Sequence, residues 1–200
     1  MKYWTIRAAE MKTSDWSGGR TTEIFIHPEG TSVGARDFEV RVSTATVELD
    51  ETTFSDYSGY IRRIMPVEGG FELTIDEQDR IKLERFDATT FDGGRHVCSV
   101  GKCRDFNVIH RPNWLGGLRT IAPGDAFDCP APGFSGVYAL CDQIQVAIER
   151  EGEKPAIQTL AHGDCLIVSC NKDETAPVRI ALANTQNLPQ HAAIAFIAGN

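Results

Sequence analysis

Residues 103–111 read "CRDFNVIHR". In extended backbone, alternate side chains leave opposite faces, so Asp105, Asn107 and Ile109 form one row and Phe106, Val108 and His110 the other. A row that passes from carboxylate through amide to isoleucine suits neither a plain surface nor a plain core. Against water, Ile109 is the oddity; against a packed interior, Asp105 and Asn107 each cost roughly a few kcal/mol unless hydrogen-bonded. A row running from a polar pocket down into a packed interior reconciles them, as in a small β-barrel with a wet mouth.

The neighbouring stretches carry the same signature. "DFEVRVSTATVEL" (37–49) puts Glu39, Arg41, Ser43, Ala45, Val47 and Leu49 on one face, again graded from charged through small to apolar. An Arg41–Asp105 ion pair tying two strands together is the structural alternative to a pocket at this place. In "FSDYSGYIRRIM" (54–65) the adjacent Arg62 and Arg63 must point to opposite faces of a strand, so only one can enter a pocket. "DWSGGRTTEI" (15–24) is a glycine turn resuming as a strand through Glu23, with Trp16 expected as a packing anchor.

Beyond these, short runs rich in Val, Ile, Thr and Phe recur about every ten residues between Gly, Pro and Asp, and all read as strands. Only "IRAAEMK" (6–12) and "NLPQHAA" (187–193) could form a short turn of helix. The fold class is therefore all-β, sandwich or barrel, with little helix. An internal echo sharpens this. "IMPVEGGFELTI" followed by "IKLERFDATTFDGG" is repeated in order about 75 residues later by "VYALCDQIQVAIE" and "IQTLAHGDCLIVSC", which predicts two tandem β units. Strand, tight turn, strand, then L-x-x-G-D and another strand resembles the cupin pattern, an antiparallel jelly-roll barrel. The cupin metal signature of paired histidines and a glutamate is missing, and "SGYIRRIMPVEGG" stands at that point. Arginines where histidines would sit suggest a carboxylate ligand.

Composition narrows the classes. Twenty Lys+Arg against 28 Asp+Glu give a net charge of -8, which argues against nucleic acid and anionic membrane as partners. No run approaches the roughly 18–20 apolar residues of a membrane span. The N-terminal stretch has no secretory h-region, and a cytoplasmic protein is expected. The six cysteines contain no C-x-x-C and sit in apolar context, so reduced, buried thiols are expected. The five histidines form no H-x-H or H-x-x-x-H pair, and neither a metal nor another cofactor is expected.

Taken together, Trp16, Gly18, Gly19, Thr21 and Glu23, then Phe38, Arg41, Ser43, Ala45 and Val47, then Phe54, Ser55, Gly59 and Arg62, and finally Asp105, Phe106 and Asn107 resemble in order and spacing the HutD (HutD/Ves) family of metal-free bicupins. Many members carry an asparagine and three glycines after the tryptophan, where this chain has the shorter "WSGGRTTE". The resemblance implies a bicupin linked to histidine utilisation that binds a pathway intermediate such as formylglutamate and moderates the pathway. On this reading residues 1–112 form an N-terminal cupin-like barrel with the pocket and 113–200 a second one, strands being exchangeable between them. Arg41 and Arg62 would clamp carboxylate oxygens, Ser43 and Asn107 would bond the amide or formyl end, Asp105 would orient an arginine and Glu23 would close the rim. The expected partner is thus a small carboxylate-bearing metabolite, and a homodimer is compatible with the sequence. The alternative is a metal-free hydrolase or isomerase with Glu23, Asp105 or His110 as general acid/base, although parity sets His110 opposite Asp105 and Asn107. Thiol titration in denaturant without reductant should find all six cysteines; a shortfall of two or more would contradict the reduced state.

Overall fold

The computed structural model describes residues 1–174, 176–184 and 188–200. Its residues divide into two compact units, one of residues 11–116 and one of residues 1–10 with 117–200. Both are antiparallel β throughout.

In the unit of residues 11–116, β2 (Lys12–Trp16), β3 (Gly19–His27), β4 (Val40–Val47), β6 (Ile61–Gly69), β9 (Thr89–Asp92) and β11 (Cys103–His110) form a six-stranded sheet in the order β2-β3-β4-β11-β6-β9. Four strands, β5 (Glu51–Thr53), β7 (Phe71–Ile75), β8 (Asp79–Leu83) and β10 (Val97–Val100), form a second sheet in the order β5-β10-β7-β8. In the other unit, β1 (Lys2–Ile6), β12 (Leu115–Ile121), β14 (Gly133–Ala139), β17 (Cys165–Cys170) and β19 (Ala193–Gly199) run in the order β1-β17-β14-β19-β12. Its second sheet, in the order β13-β18-β15-β16, is made of β13 (Ala126–Cys129), β15 (Ile144–Arg150), β16 (Ala156–Leu160) and β18 (Val178–Leu182).

These orders are the same order twice. β4-β11-β6-β9 and β5-β10-β7-β8 become, adding eight to each strand number, β12-β19-β14-β17 and β13-β18-β15-β16. Each unit is thus a cupin-type jelly roll, and the chain is a bicupin whose sheets pack as sandwiches without closing into full barrels. The sequence echo marks equivalent corners. After Leu83 at the end of β8, the Asp87 carboxylate accepts from the Glu84 N–H at 3.0 Å; after Leu160 at the end of β16, Asp164 accepts from the Ala161 N–H at 3.1 Å. Both corners also turn left-handed one residue before the aspartate, at Phe86 (φ 74°) and Gly163 (φ 84°). The "VEGG" turn is similarly literal: at Gly69 (φ 70°) an added Cβ would stand 2.7 Å from the Lys102 carbonyl oxygen.

The first ten residues differ from the division read in the sequence. β1 pairs along its whole length with β17, Lys2 opposite Ser169 through Ile6 opposite Cys165, so it belongs with residues 117–200. A strand at a chain end can add to whichever edge is open, and its local sequence does not name the edge. Helix is confined, among the described residues, to a 3₁₀ turn at Ala8–Glu10, inside the first stretch expected to turn. Of "NLPQHAA", Asn187 lies outside the described residues and the remainder is not helical, because Ala193 already begins β19.

The cores follow from alternation. Val47, Ile64, Phe71, Leu73, Leu83, Phe91, Val97 and Cys103 pack together at one end of the first sandwich. Phe38, Tyr57, Tyr60 and Ile109 form a second cluster. Residues 1–10 and 117–200 enclose one larger aliphatic core around Ile144, Val146, Leu160, Leu166 and Val168. Two substitutions separate corner geometry from packing. Gly163→Ala, which forces an L side chain into the left-handed region, should cost about 1–2 kcal/mol, and Leu160→Ala, which empties a fully buried site, about 2–5 kcal/mol. Urea unfolding of both variants measures them, and an unchanged midpoint for Gly163→Ala would refute the corner assignment.

Candidate functional site

The face of β4, β6 and β11 that turns inward carries the polar row. Register sets Asn107 opposite Ser43 on β4 and Ile64 on β6, and Ile109 opposite both Arg41 and Arg62. One cavity of about 570 Å³ opens on this face, and Glu23, Arg41, Ser43, Arg62, Asn107 and Ile109 all line it. Asp105 does not reach the cavity. It is buried behind Asn107, with 2% of its surface exposed, and its carboxylate accepts a hydrogen bond from the Asn107 amide nitrogen. Five of the six residues expected at a site therefore share one wall, and the sixth supports it.

The charge pairing differs from the ion pair considered in the sequence. Arg41 donates through Nε to Glu23 Oε2 at 3.0 Å and does not meet Asp105. The reason is register: Asp105 stands opposite Ala45, four residues along β4 from Arg41, or roughly 13 Å of strand. Glu23 is brought in by β3, which pairs on the other side of β4 with Glu23 opposite Ser43, and a bulge between Glu23 and Phe25 re-aims the strand there.

Arg62 enters the interior and Arg63 the opposite face, where it donates to Thr90 Oγ1 at 2.9 Å. The Arg62 guanidinium donates to Asn107 Oδ1 at 3.2 Å and reaches the Ser55 carbonyl at 3.5 Å. Its central carbon lies 5.0 Å from the Phe54 ring and 5.3 Å from the Tyr57 and Phe91 rings. Its buried Nε has no hydrogen-bond partner among the described residues. A guanidinium offers five donors, so this one keeps spare capacity toward the cavity. Asn107 is thereby the middle of a chain, accepting from Arg62 and donating to Asp105, which fixes its amide orientation.

Burial acts on both ends of that chain. It pushes the Asp105 carboxyl up to about 7, opposed by the positive charge of Arg62. It lowers Arg62 to about 10, opposed by Asp105, so the guanidinium stays charged at neutral pH. His110 lies on the far face of β11, as parity requires. Its Nδ1 is held by the Arg111 carbonyl at 2.9 Å and its basicity is lowered by burial.

The aromatic side of the cavity was not singled out as binding surface in the sequence. Trp16, Phe54 and Tyr57 line it, with Ser55 and the segment Thr31–Gly34. Trp16 meets Phe54 edge to face at 6.3 Å, and its buried indole N–H has no partner among the described residues. The available signal was the spacing in "FSDYSGY", which brings Phe54, Ser55 and Tyr57 to the same mouth as Arg62. No group of three or more His, Cys, Asp or Glu side chains placed to hold a metal ion occurs among the described residues. Nor, among these residues, is any helix long and apolar enough to cross a membrane.

Two jelly rolls in one chain, one with a polar cavity walled by arginine, serine and asparagine, define a bicupin with a candidate small-molecule pocket. The chain belongs to the HutD family, whose model matches residues 8–188. Among solved structures, it is similar to a conserved protein of unknown function from Pseudomonas aeruginosa PAO1, at 25% identity and TM-score 0.79 over 100% of both chains. HutD from Pseudomonas fluorescens is similar at 24% identity and TM-score 0.75, over 99% of this chain and 98% of that one. The likeness extends in fold alone to the oxalate decarboxylase of Bacillus subtilis, at 7% identity and TM-score 0.62, over 97% of this chain and 76% of that one. No curated protein matches the chain.

The raised Asp105 carboxyl has a measurable pH signature. The folded state holds this proton more tightly than the unfolded chain, where the group titrates near 3.8, so its stabilising contribution is complete below about pH 4 and is lost as pH rises toward 7. Asp105→Asn lacks that dependence. Between about pH 5 and about pH 8, wild type should lose roughly 2–3 kcal/mol relative to the variant. Urea melts at the two pH values measure this, and a constant difference would show that Asp105 is ionised throughout.

Proposed function

We propose that this chain is a small-molecule-binding protein that takes a carboxylate-bearing metabolite into the cavity of residues 11–116. The ligand class is formylglutamate or a related intermediate of histidine degradation, and its binding moderates histidine utilisation. The observation that carries the reading is electrostatic. Two buried guanidiniums, Arg41 and Arg62, face one cavity, and only Arg41 is in contact with a carboxylate, Glu23. Arg62 rests instead on the neutral amide of Asn107 and on aromatic rings, and the nearest interior carboxyl, Asp105, is pushed toward neutrality. A ligand carboxylate would supply the missing negative charge through short, charge-assisted bonds.

The surrounding groups support the same class. Ser43 and Asn107 lie at the level where an amide or formyl group would follow the carboxylate. Trp16, Phe54 and Tyr57 offer apolar surface for the rest of the molecule. A cavity of about 570 Å³ has room for a metabolite of this size. Membership of the HutD family points to the pathway.

Thermal unfolding with histidine, urocanate, formiminoglutamate, formylglutamate and glutamate, each added separately, tests the reading. A true ligand present at a hundred times its dissociation constant should add about 2.7 kcal/mol of stability. Arg41→Met keeps most of the packing stem and leaves only Glu23 unpaired, at a half-solvated rim where its side chain is 31% exposed. This variant should fold and should bind that ligand about 10- to 100-fold more weakly, measured by calorimetry. The reading would be abandoned if no carboxylate of the panel shifts the midpoint, or if Arg41→Met and Arg62→Met both bind like wild type.

A further inference from the structure

Two thiols of the unit formed by residues 1–10 and 117–200 stand apart from the other cysteines. Cys129 ends β13 and Cys170 ends β17, in the two different sheets of that unit. Cys129 lies opposite Val178 and Cys170 opposite Gly133, each at the last rung of its ladder. They come to one end of the sandwich within a single core cluster, where Cys129 Sγ donates to the Val168 carbonyl at 3.6 Å, two residues before Cys170 on β17. Both line a second cavity, of about 280 Å³, together with Ala131, Glu174, Pro177 and Val178. The two residues are only 7% and 3% exposed, so this cavity is their route to small solutes. Ser135, also buried, stands beside the Cys129 sulfur.

The pair is chemically asymmetric. The Cys129 side chain lowers the Cys170 thiol from its ordinary value, helped by the N-terminal ammonium and Arg150 and opposed by burial and by the Glu174 carboxylate. Cys129 is pushed up by the same contact and by burial. One sulfur is therefore disposed to be the thiolate and the other to remain protonated beside it, the arrangement of an attacking and a resolving cysteine. Elsewhere burial pushes Cys103, Cys141 and Cys165 upward.

We propose that Cys129 and Cys170 form a peroxide-reactive dithiol that closes to an intramolecular disulfide. The Cys170 thiolate attacks the O–O bond of a hydroperoxide, taking one oxygen as a sulfenic acid while the other leaves as hydroxide or alkoxide and is protonated. The Cys129 sulfur then displaces the sulfenic oxygen, which departs as water with the Cys129 proton, and the S–S bond forms. Two thiols are oxidised by two electrons and one peroxide is reduced, giving two molecules of water from hydrogen peroxide. The new bond would join the two sheets of this unit at the end where the small cavity opens, and a dithiol reductant would reverse it.

The test uses the full chain and hydrogen peroxide. After brief exposure, alkylation in denaturant and digestion, the protein should have lost two of its six thiols, and one linked peptide pair should contain Cys129 and Cys170. Cys129→Ser should stop at a sulfenic acid on Cys170, captured by dimedone, and Cys170→Ser should leave Cys129 alkylated. Survival of all six thiols would overturn the proposal. So would a linkage through any other cysteine, an intermolecular disulfide, or first oxidation at the more accessible Cys98. Should either variant fail to fold, the wild-type peptide map alone decides.

Discussion

A guanidinium held inside a β-sandwich without a carboxylate in contact is the constraint around which the first unit is arranged. Burying such an ion costs several kcal/mol unless its donors are met. Arg62 meets that cost piecemeal, with the Asn107 amide, the Ser55 carbonyl and three aromatic faces. Asn107 can accept from it only because the other end of its amide is taken by Asp105, and Asp105 is further anchored where its own carbonyl accepts from Thr44 Oγ1 at 2.7 Å. The polar row of β11 is thus neither a surface nor a defect in the core. It is the support of one cation.

The second unit shows what the same architecture does without that cation. Where β6 sets Ile64 opposite Asn107, β14 sets Val137 opposite Ala195. One rung along, Ser135 stands opposite Ile197, as Arg62 stands opposite Ile109. The interior fills with Val, Ile, Leu and Ala instead of opening into a polar cavity. Two copies of one strand order have therefore divided the work, one keeping charge and space, the other keeping packing. The Ser135 hydroxyl, the Cys129 and Cys170 thiols and the Glu174 carboxylate are polar groups at one end of the second unit.

The pocket's other arginine illustrates how a strand edge is used. β3 adds to β4 on the side away from β11, so that Arg41 stands between Ile26 on β3 and Ile109 on β11 and its side chain reaches along the sheet to Glu23, which lies opposite Ser43. Its charge is neutralised at the rim and not at the floor. That leaves the deeper cation, Arg62, as the one whose field is met mainly by dipoles, and dipoles can be replaced by a ligand more readily than a bound carboxylate can.

The sequence by itself determined whatever depends on short range. Period-two alternation placed Arg62 inward and Arg63 outward, put Asp105, Asn107 and Ile109 on one row, and set His110 on the other. The glycine turn at Gly69 and the paired corners ending in Asp87 and Asp164 were likewise readable, because a turn is specified by residues a few positions apart. Tertiary structure alone decided which strands became neighbours and in what register. That choice gave Arg41 to Glu23 and not to Asp105, moved β1 to the edge of β17, and brought Trp16, Phe54 and Tyr57 around one cavity. Cross-strand pairing joins residues tens of positions apart, and a single strand carries its parity but not its partner.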